Sequence, residues 1–157
     1  MNEQNMIDFQ NRLREQNMTI TCAESCTGGL ISSEITKISG SSAIFKGSVI
    51  TYCNEIKEQE LNVNKKTMID NGVVKIEVVK EMLDGVIKKF DASIGVAVSG
   101  VAGPNGGTEN KPVGTVVIGI KDNKNYLNVN VYHFSGSRIE VQNKAVKQVF
   151  LMLFDEF

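Results

Sequence analysis

Three segments concentrate small and polar residues where a scaffold alone has no need of them: ESCTGG at 24–29, GSS at 40–42 with the later TYCNEIK at 51–57, and SGVAGPNGG at 99–107. The chain carries one histidine, His133. Hydrolysis through a serine would therefore need another base, and a lysine serves when its pKa falls. Taking a lysine from about 10.4 to ~7.5 removes about 4 kcal/mol of charge stabilisation, which burial next to another cation can bring about. Lys57 stands just after a strand end, unlike Lys88 and Lys89 on a helix face. Spacing alone does not join Ser42 to Lys57, because most lysines are solvated charges. Ser25, in the more conspicuous turn, is a reasonable nucleophile from turn geometry.

The same segments could bind an anion. Gly100, Gly103, Gly106 and Gly107 would let backbone amides approach a ligand closely. The pattern is neither GxGxxG nor a Walker loop, since Lys111 is followed by Pro112. ESCTGG reads as a strand-to-helix turn whose following helix offers amides to an anion, with Ser25 or Thr27 as the alternative N-cap. Glu24, at the end of a buried strand, either orients backbone donors or meets a ligand. Arg138, beside Ser135, Gly136 and Ser137, is either a phosphate clamp or a surface arginine. Cys22 and Cys26 form CxxxC rather than the redox motif CxxC and read as small buried thiols. No cysteine or histidine spacing fits a metal, and no cofactor is expected.

Hydrophobic periodicity supplies the elements that must position these residues. Met6, Phe9 and Leu13 mark a helix over 3–16, followed by a strand at 18–23 and a helix over 28–38. A second strand is expected at 44–53, closed by Asn54 as a helix cap, then helices at 55–60, 64–70 and 75–90. SIGVAVSG (93–100) reads as a strand covered on both faces. The segments 113–120 and 126–134 flank KDNKN as an antiparallel hairpin, and 138–157 is a closing helix. Strands alternating with helices, then a hairpin, predict a three-layer α/β/α sandwich with a mixed β-sheet. In such sheets ligands sit at the strand carboxyl ends.

The chain has 157 residues, 17 Lys+Arg against 18 Asp+Glu and three cysteines. That length suits one domain over 1–157 with its own core. A net charge of −1 leaves no basic surplus for phosphate backbones, which argues against nucleic acid as a partner. No apolar run approaches the ~20 residues of a membrane span. The odd cysteine count fits reduced thiols in the cytoplasm. Aliphatic helical surface leaves room for a homo-oligomer.

AESCTGG (23–29), GSSAIFKGSVITYCNEIK (40–57), VSGVAGPNGGTENKPVGTV (98–116) and HFSGSR (133–138) together resemble the CinA C-terminal domain family, the stand-alone nicotinamide mononucleotide deamidases of the PncC type. The resemblance covers nearly the whole chain. It implies a Ser/Lys amidohydrolase that converts nicotinamide mononucleotide to nicotinate mononucleotide and ammonia, in NAD salvage. Carried over by motif, it makes Ser42 the nucleophile and Lys57 the base, with Tyr52 assisting. It assigns Glu24, Ser25, Thr27, Gly28, Ser99, Gly100, Gly103 and Arg138 to the nucleotide pocket. Gln142 stands where the family often has a further arginine. A second expectation, from the competence association of the family, is a catalytically silent nucleotide-binding module acting through a partner.

Overall fold

A computed structural model describes residues 2–157, the side chain of Asn71 excepted. In chain order the elements are α1 (Glu3–Glu15), β1 (Ile20–Glu24), α2 (Leu30–Thr36), a 3-10 turn (Ser41–Ala43), β2 (Phe45–Ile50), α3 (Asn54–Leu61), α4 (Lys65–Asn71), α5 (Ile76–Phe90), β3 (Ile94–Gly100), β4 (Thr115–Asp122), β5 (Leu127–His133) and α6 (Arg138–Glu156). The strands form one sheet in the order β2-β1-β3-β4-β5. β1 pairs in parallel with both β2 and β3, while β4 runs antiparallel to β3 and to β5. The sheet is therefore mixed, with β4 alone reversed.

Alternation along the central strands divides the core in two. Ile20 and Cys22 of β1, with Val96 and Val98 of β3, face Phe9 and Leu13 of α1, Ile31 and Ile35 of α2, and the apolar stripe of α6. Ala23, Ala97 and Val117 face Leu61 of α3, Met68 of α4 and Val78, Val79, Met82, Leu83 and Val86 of α5. Helices thus cover both faces, and the expected three layers are present. The second layer depends on a close approach. A Cβ at Gly85 of α5 would collide with the Leu61 carbonyl at the end of α3, so glycine there lets the two helices meet.

The local differences from expectation fall at the ends of elements. β1 ends one residue later than predicted, at Glu24, because it is held between two partners. β2 ends at Ile50, three residues early, although the Thr51 amide still donates to the Glu24 carbonyl at 2.8 Å. Asn54 is the first residue of α3 rather than its cap, and Cys53 occupies the cap position. α2 begins only at Leu30, with Gly29 (φ 101°) as an N-cap that has no side chain to offer. Among the described residues no helix is long and apolar enough to cross a membrane.

Candidate active site

The carboxyl ends of β1, β2 and β3 open onto a cavity of about 240 Å³, bordered by Ser25, Cys26, Tyr52, Asn54, Lys57, Val73, the run Ser99 to Gly103, Asn105, Gly106 and Arg138. A cavity of similar size between α1 and α2, about 290 Å³, is lined by Asn2, Glu3, Met6, Glu34, Lys37 and Ile38. Its lining brings together no buried nucleophile and base, so the first is the candidate site.

Lys57 is the feature that defines the site. It lies in the body of α3 yet is only 1% exposed, because the helix turns this face inward onto the end of β1. Its Nζ donates to the Thr51 carbonyl at 2.8 Å and lies 3.3 Å from Ser25 Oγ. Burial pushes its pKa below the ordinary lysine value, against the opposing pull of Cys53, Cys26 and Glu55. Burial disfavours the ammonium because a low-dielectric surrounding solvates charge poorly. The result is a lysine biased toward the neutral amine and within contact of a serine hydroxyl.

The serine in contact with Lys57 is Ser25, not Ser42. Ser42 is exposed in the 3-10 turn that precedes β2, at the amino end of that strand. Lys57 is held to the Thr51 carbonyl just beyond the other end. The six residues of β2 alone carry the chain about 17 Å at ~3.3 Å per residue. The structure does not bring the expected Ser42–Lys57 pair together: the two side chains belong to opposite ends of β2. Cys26, next to Ser25, is no rival, since burial pushes its thiol up to about 12. Cys22 and Cys26 are both free and buried.

Other expected residues divide into those that reach the cavity and those that do not. Ser99, 1% exposed, donates from Oγ to the Val73 carbonyl at 2.8 Å and so pins the α4–α5 connection beside the cavity. Arg138 donates from Nη1 to the Gly103 carbonyl at 2.9 Å and from Nη2 to Tyr52 Oη at 2.6 Å. It thus links the start of α6 to two site loops. Gly100 and Gly103 line the cavity. Glu24, Thr27 and Gly28 do not. Thr27 is buried with an unpartnered hydroxyl, and Gly28 (φ 61°) supplies the left-handed turn. The amino end of α2 is not open to an anion as expected, because Glu24 fills it. His133 lies on β5 against Thr115 Oγ1 at 3.3 Å, outside the cavity.

Sequence reasoning missed Thr51, Asn54, Val73 and the role of Gln142. Gln142 lies one turn after Arg138 on α6 and donates from Nε2 to the Cys26 carbonyl at 2.7 Å. The i, i+4 spacing was the available signal, since it puts both side chains on one helix face. Among the described residues no group of three or more His, Cys, Asp and Glu is placed to hold a metal ion.

The comparisons with known proteins agree with this architecture. The family model described as CinA C-terminal domain matches residues 3–157. The chain is 46% identical over 141 residues to a CinA-like protein of Fervidobacterium nodosum, covering 90% of this chain and 34% of that protein. It is 44% identical over 136 residues to a CinA-like protein of Prochlorococcus marinus, covering 85% and 32% respectively. The chain thus spans about a third of the length of these curated relatives. Among solved structures, competence damage-inducible protein A of Klebsiella pneumoniae superposes with a TM-score of 0.92 at 29% identity, over 98% of this chain and 94% of that one. A competence/damage inducible protein of Agrobacterium tumefaciens gives 0.89 at 31% identity, over 96% and 94%. The chain belongs to the CinA C-terminal domain family.

Proposed function

We propose that the protein is a Ser/Lys amidohydrolase in which Ser25 is the nucleophile and Lys57 the general base, acting on the carboxamide of nicotinamide mononucleotide. The carrying observation is the buried Lys57 amine 3.3 Å from Ser25 Oγ. A neutral Lys57 donates one hydrogen to the Thr51 carbonyl and turns its lone pair to the Ser25 hydroxyl. It takes that proton as Oγ attacks the carboxamide carbon. Backbone amides bordering the cavity stabilise the oxyanion, an interaction commonly worth about 3–4 kcal/mol. The ammonium of Lys57 then returns the proton to the departing nitrogen and ammonia leaves. Water, deprotonated by the same amine, hydrolyses the acyl-serine.

The substrate class is supported by the family resemblance and by the charge of the cavity. Lys57 and Arg138 are the basic groups on its lining, and the lining carries no carboxylate. That balance suits an anionic ligand. Tyr52, held by Arg138, contributes an aromatic ring at the mouth, where it is 59% exposed.

The test is ammonia release from nicotinamide mononucleotide, with and without chelator, followed by trapping of the acyl-enzyme and mapping of the modified peptide. Chelator-insensitive turnover with modification inside residues 18–31 supports the proposal. Modification inside 38–46 refutes the choice of Ser25. Nucleotide binding with no ammonia released refutes the enzyme and leaves the silent binding module.

A further inference from the structure

Glu24 is fully buried, and its carboxylate has four hydrogen-bond donors around it. Oε2 accepts from the amides of Gly29 at 2.9 Å and Ile31 at 3.1 Å. Oε1 accepts from the amide of Ser32 at 2.8 Å and from its hydroxyl at 2.6 Å. The first amides of a helix have no partner within it. Here the N-cap is Gly29, so the acceptor comes from the preceding strand instead. Every position the carboxylate has for donors from α2 is occupied by the protein itself.

The backbone of the same residue is tied to the other half of the site. The Glu24 carbonyl accepts from the Thr51 amide at 2.8 Å, and the Thr51 carbonyl accepts from Lys57 Nζ at 2.8 Å. Ser25 follows Glu24 directly, and its amide donates to the Val98 carbonyl at 3.0 Å. Successive residues of an extended chain point to opposite faces. Glu24 therefore turns to α2 while Ser25 turns to α3 and Lys57. The turn from Ser25 to Gly29 is held at one end by the sheet and at the other by the Glu24 side chain.

We infer that Glu24 is a positioning residue, whose carboxylate locks the Ser25 turn against Lys57 and, by filling the amino end of α2, leaves the anionic group of the substrate to Arg138. This rests on the amidohydrolase reading above. Arg138 is suited to that task, since neither of its two bonded partners, the Gly103 carbonyl and the Tyr52 hydroxyl, is a carboxylate.

The experiment measures the rate and pH midpoint at which a fluorophosphonate probe labels Ser25, with thermal unfolding as the control for folding. Inhibition by inorganic phosphate is measured in parallel on the intact chain. Glu24→Gln keeps the volume but places an NH2 group among donors. Labelling falls about 10- to 100-fold, as a displacement of the nucleophile near 1 Å requires. The pH midpoint of labelling rises, because the serine loses contact with its base, whereas phosphate inhibition changes less than about twofold. Ser32→Ala deletes one of the four donors and slows labelling about threefold in the same sense, a step the size of one hydrogen bond. It carries the test if Glu24→Gln does not fold. Folded variants that label at the wild-type rate and midpoint overturn the positioning role. Loss of phosphate inhibition in Glu24→Gln with Arg138 intact overturns the anion assignment. A wild-type chain that is never labelled on Ser25 removes the amidohydrolase reading, and this one with it.

Discussion

Replacing Ser25 and Ser42 separately by alanine gives opposite outcomes, and the geometry sets the size of each. Proton transfer needs a base within about 2.6–3.2 Å of the hydroxyl, or slightly more in an unliganded site. Ser25 Oγ, 3.3 Å from Lys57 Nζ, meets that condition. Ser42, separated from Lys57 by the full length of β2, about 17 Å, does not. Removing the nucleophile of a serine hydrolase costs roughly 10⁴- to 10⁶-fold in turnover. Ser25→Ala loses turnover on that scale at saturating substrate. Product affinity weakens by no more than about tenfold, since the deleted hydroxyl supplies at most one neutral hydrogen bond of about 0.5–1.5 kcal/mol. Ser42→Ala, an exposed change, stays within about 0.5 kcal/mol in stability and within about threefold in turnover. The assay is ammonia release at saturation for both variants, with thermal midpoints and product titration. A Ser25→Ala protein keeping more than about 1% of turnover, or a folded Ser42→Ala protein losing more than about tenfold, refutes the reasoning.

Burial of Lys57 lowers its pKa, so the fraction of neutral amine, and with it kcat/KM, rises with pH through a midpoint below 10.5; Lys57→Arg stays charged and inactive, and a pH-independent rate would defeat the assignment. The same shift makes the unfolded chain bind more protons than the folded one between that midpoint and 10.5, so stability rises with pH across this window, a slope that Lys57→Met should abolish in pH-dependent unfolding. Cys26, pushed up to about 12, is about one part in 10⁴ thiolate at pH 8, so Cys26→Ala retains turnover and iodoacetamide at that pH does not modify Cys26 in the folded chain; rapid modification would contradict its burial. Gly85→Ala gains about 1 kcal/mol of helix propensity but drives a methyl group into the Leu61 carbonyl, for a net loss of about 1–3 kcal/mol in unfolding experiments. Because α3 must shift to relieve that clash and carries Lys57, kcat falls too, and an active, stabilised Gly85→Ala protein would disprove the close approach.

Much of the architecture was legible because each element carries its own periodic signal. Phe9 and Leu13 on α1, the aliphatic stripe of α5 and the apolar run of β3 declare helix or strand without reference to the rest of the chain. The KDNKN turn joins two strands in register for the same local reason. Lys57 was legible only as a lysine just after a strand end, and it was the family resemblance of TYCNEIK that made it the base; its burial belongs to the tertiary structure. The ends of elements were less legible. Whether a strand stops at Ile50 or Cys53 depends on whether the ladder with β1 continues, and beyond Ile50 the Thr51 carbonyl is taken by Lys57 Nζ instead of a strand partner. Glu24 itself could be read only as orienting donors or meeting a ligand, and the amides of the N-cap Gly29 and of Ile31 and Ser32 in α2 decide for the former.

The sequence by itself determined the order and type of the elements, the mixed sheet and the family, and through the family's motif it pointed to Lys57. Only the tertiary structure decided which serine that lysine meets. Ser42 is fifteen positions from Lys57 and Ser25 thirty-two, yet distance along the chain does not measure distance across a sheet. β1 and β2 are parallel, so the connection through α2 must return the chain from the carboxyl end of one strand to the amino end of the next. It leaves Ser25 at the first end and delivers Ser42 to the second. β2 then carries the chain back, and Lys57 arrives beside Ser25 because parallel strands end on the same side.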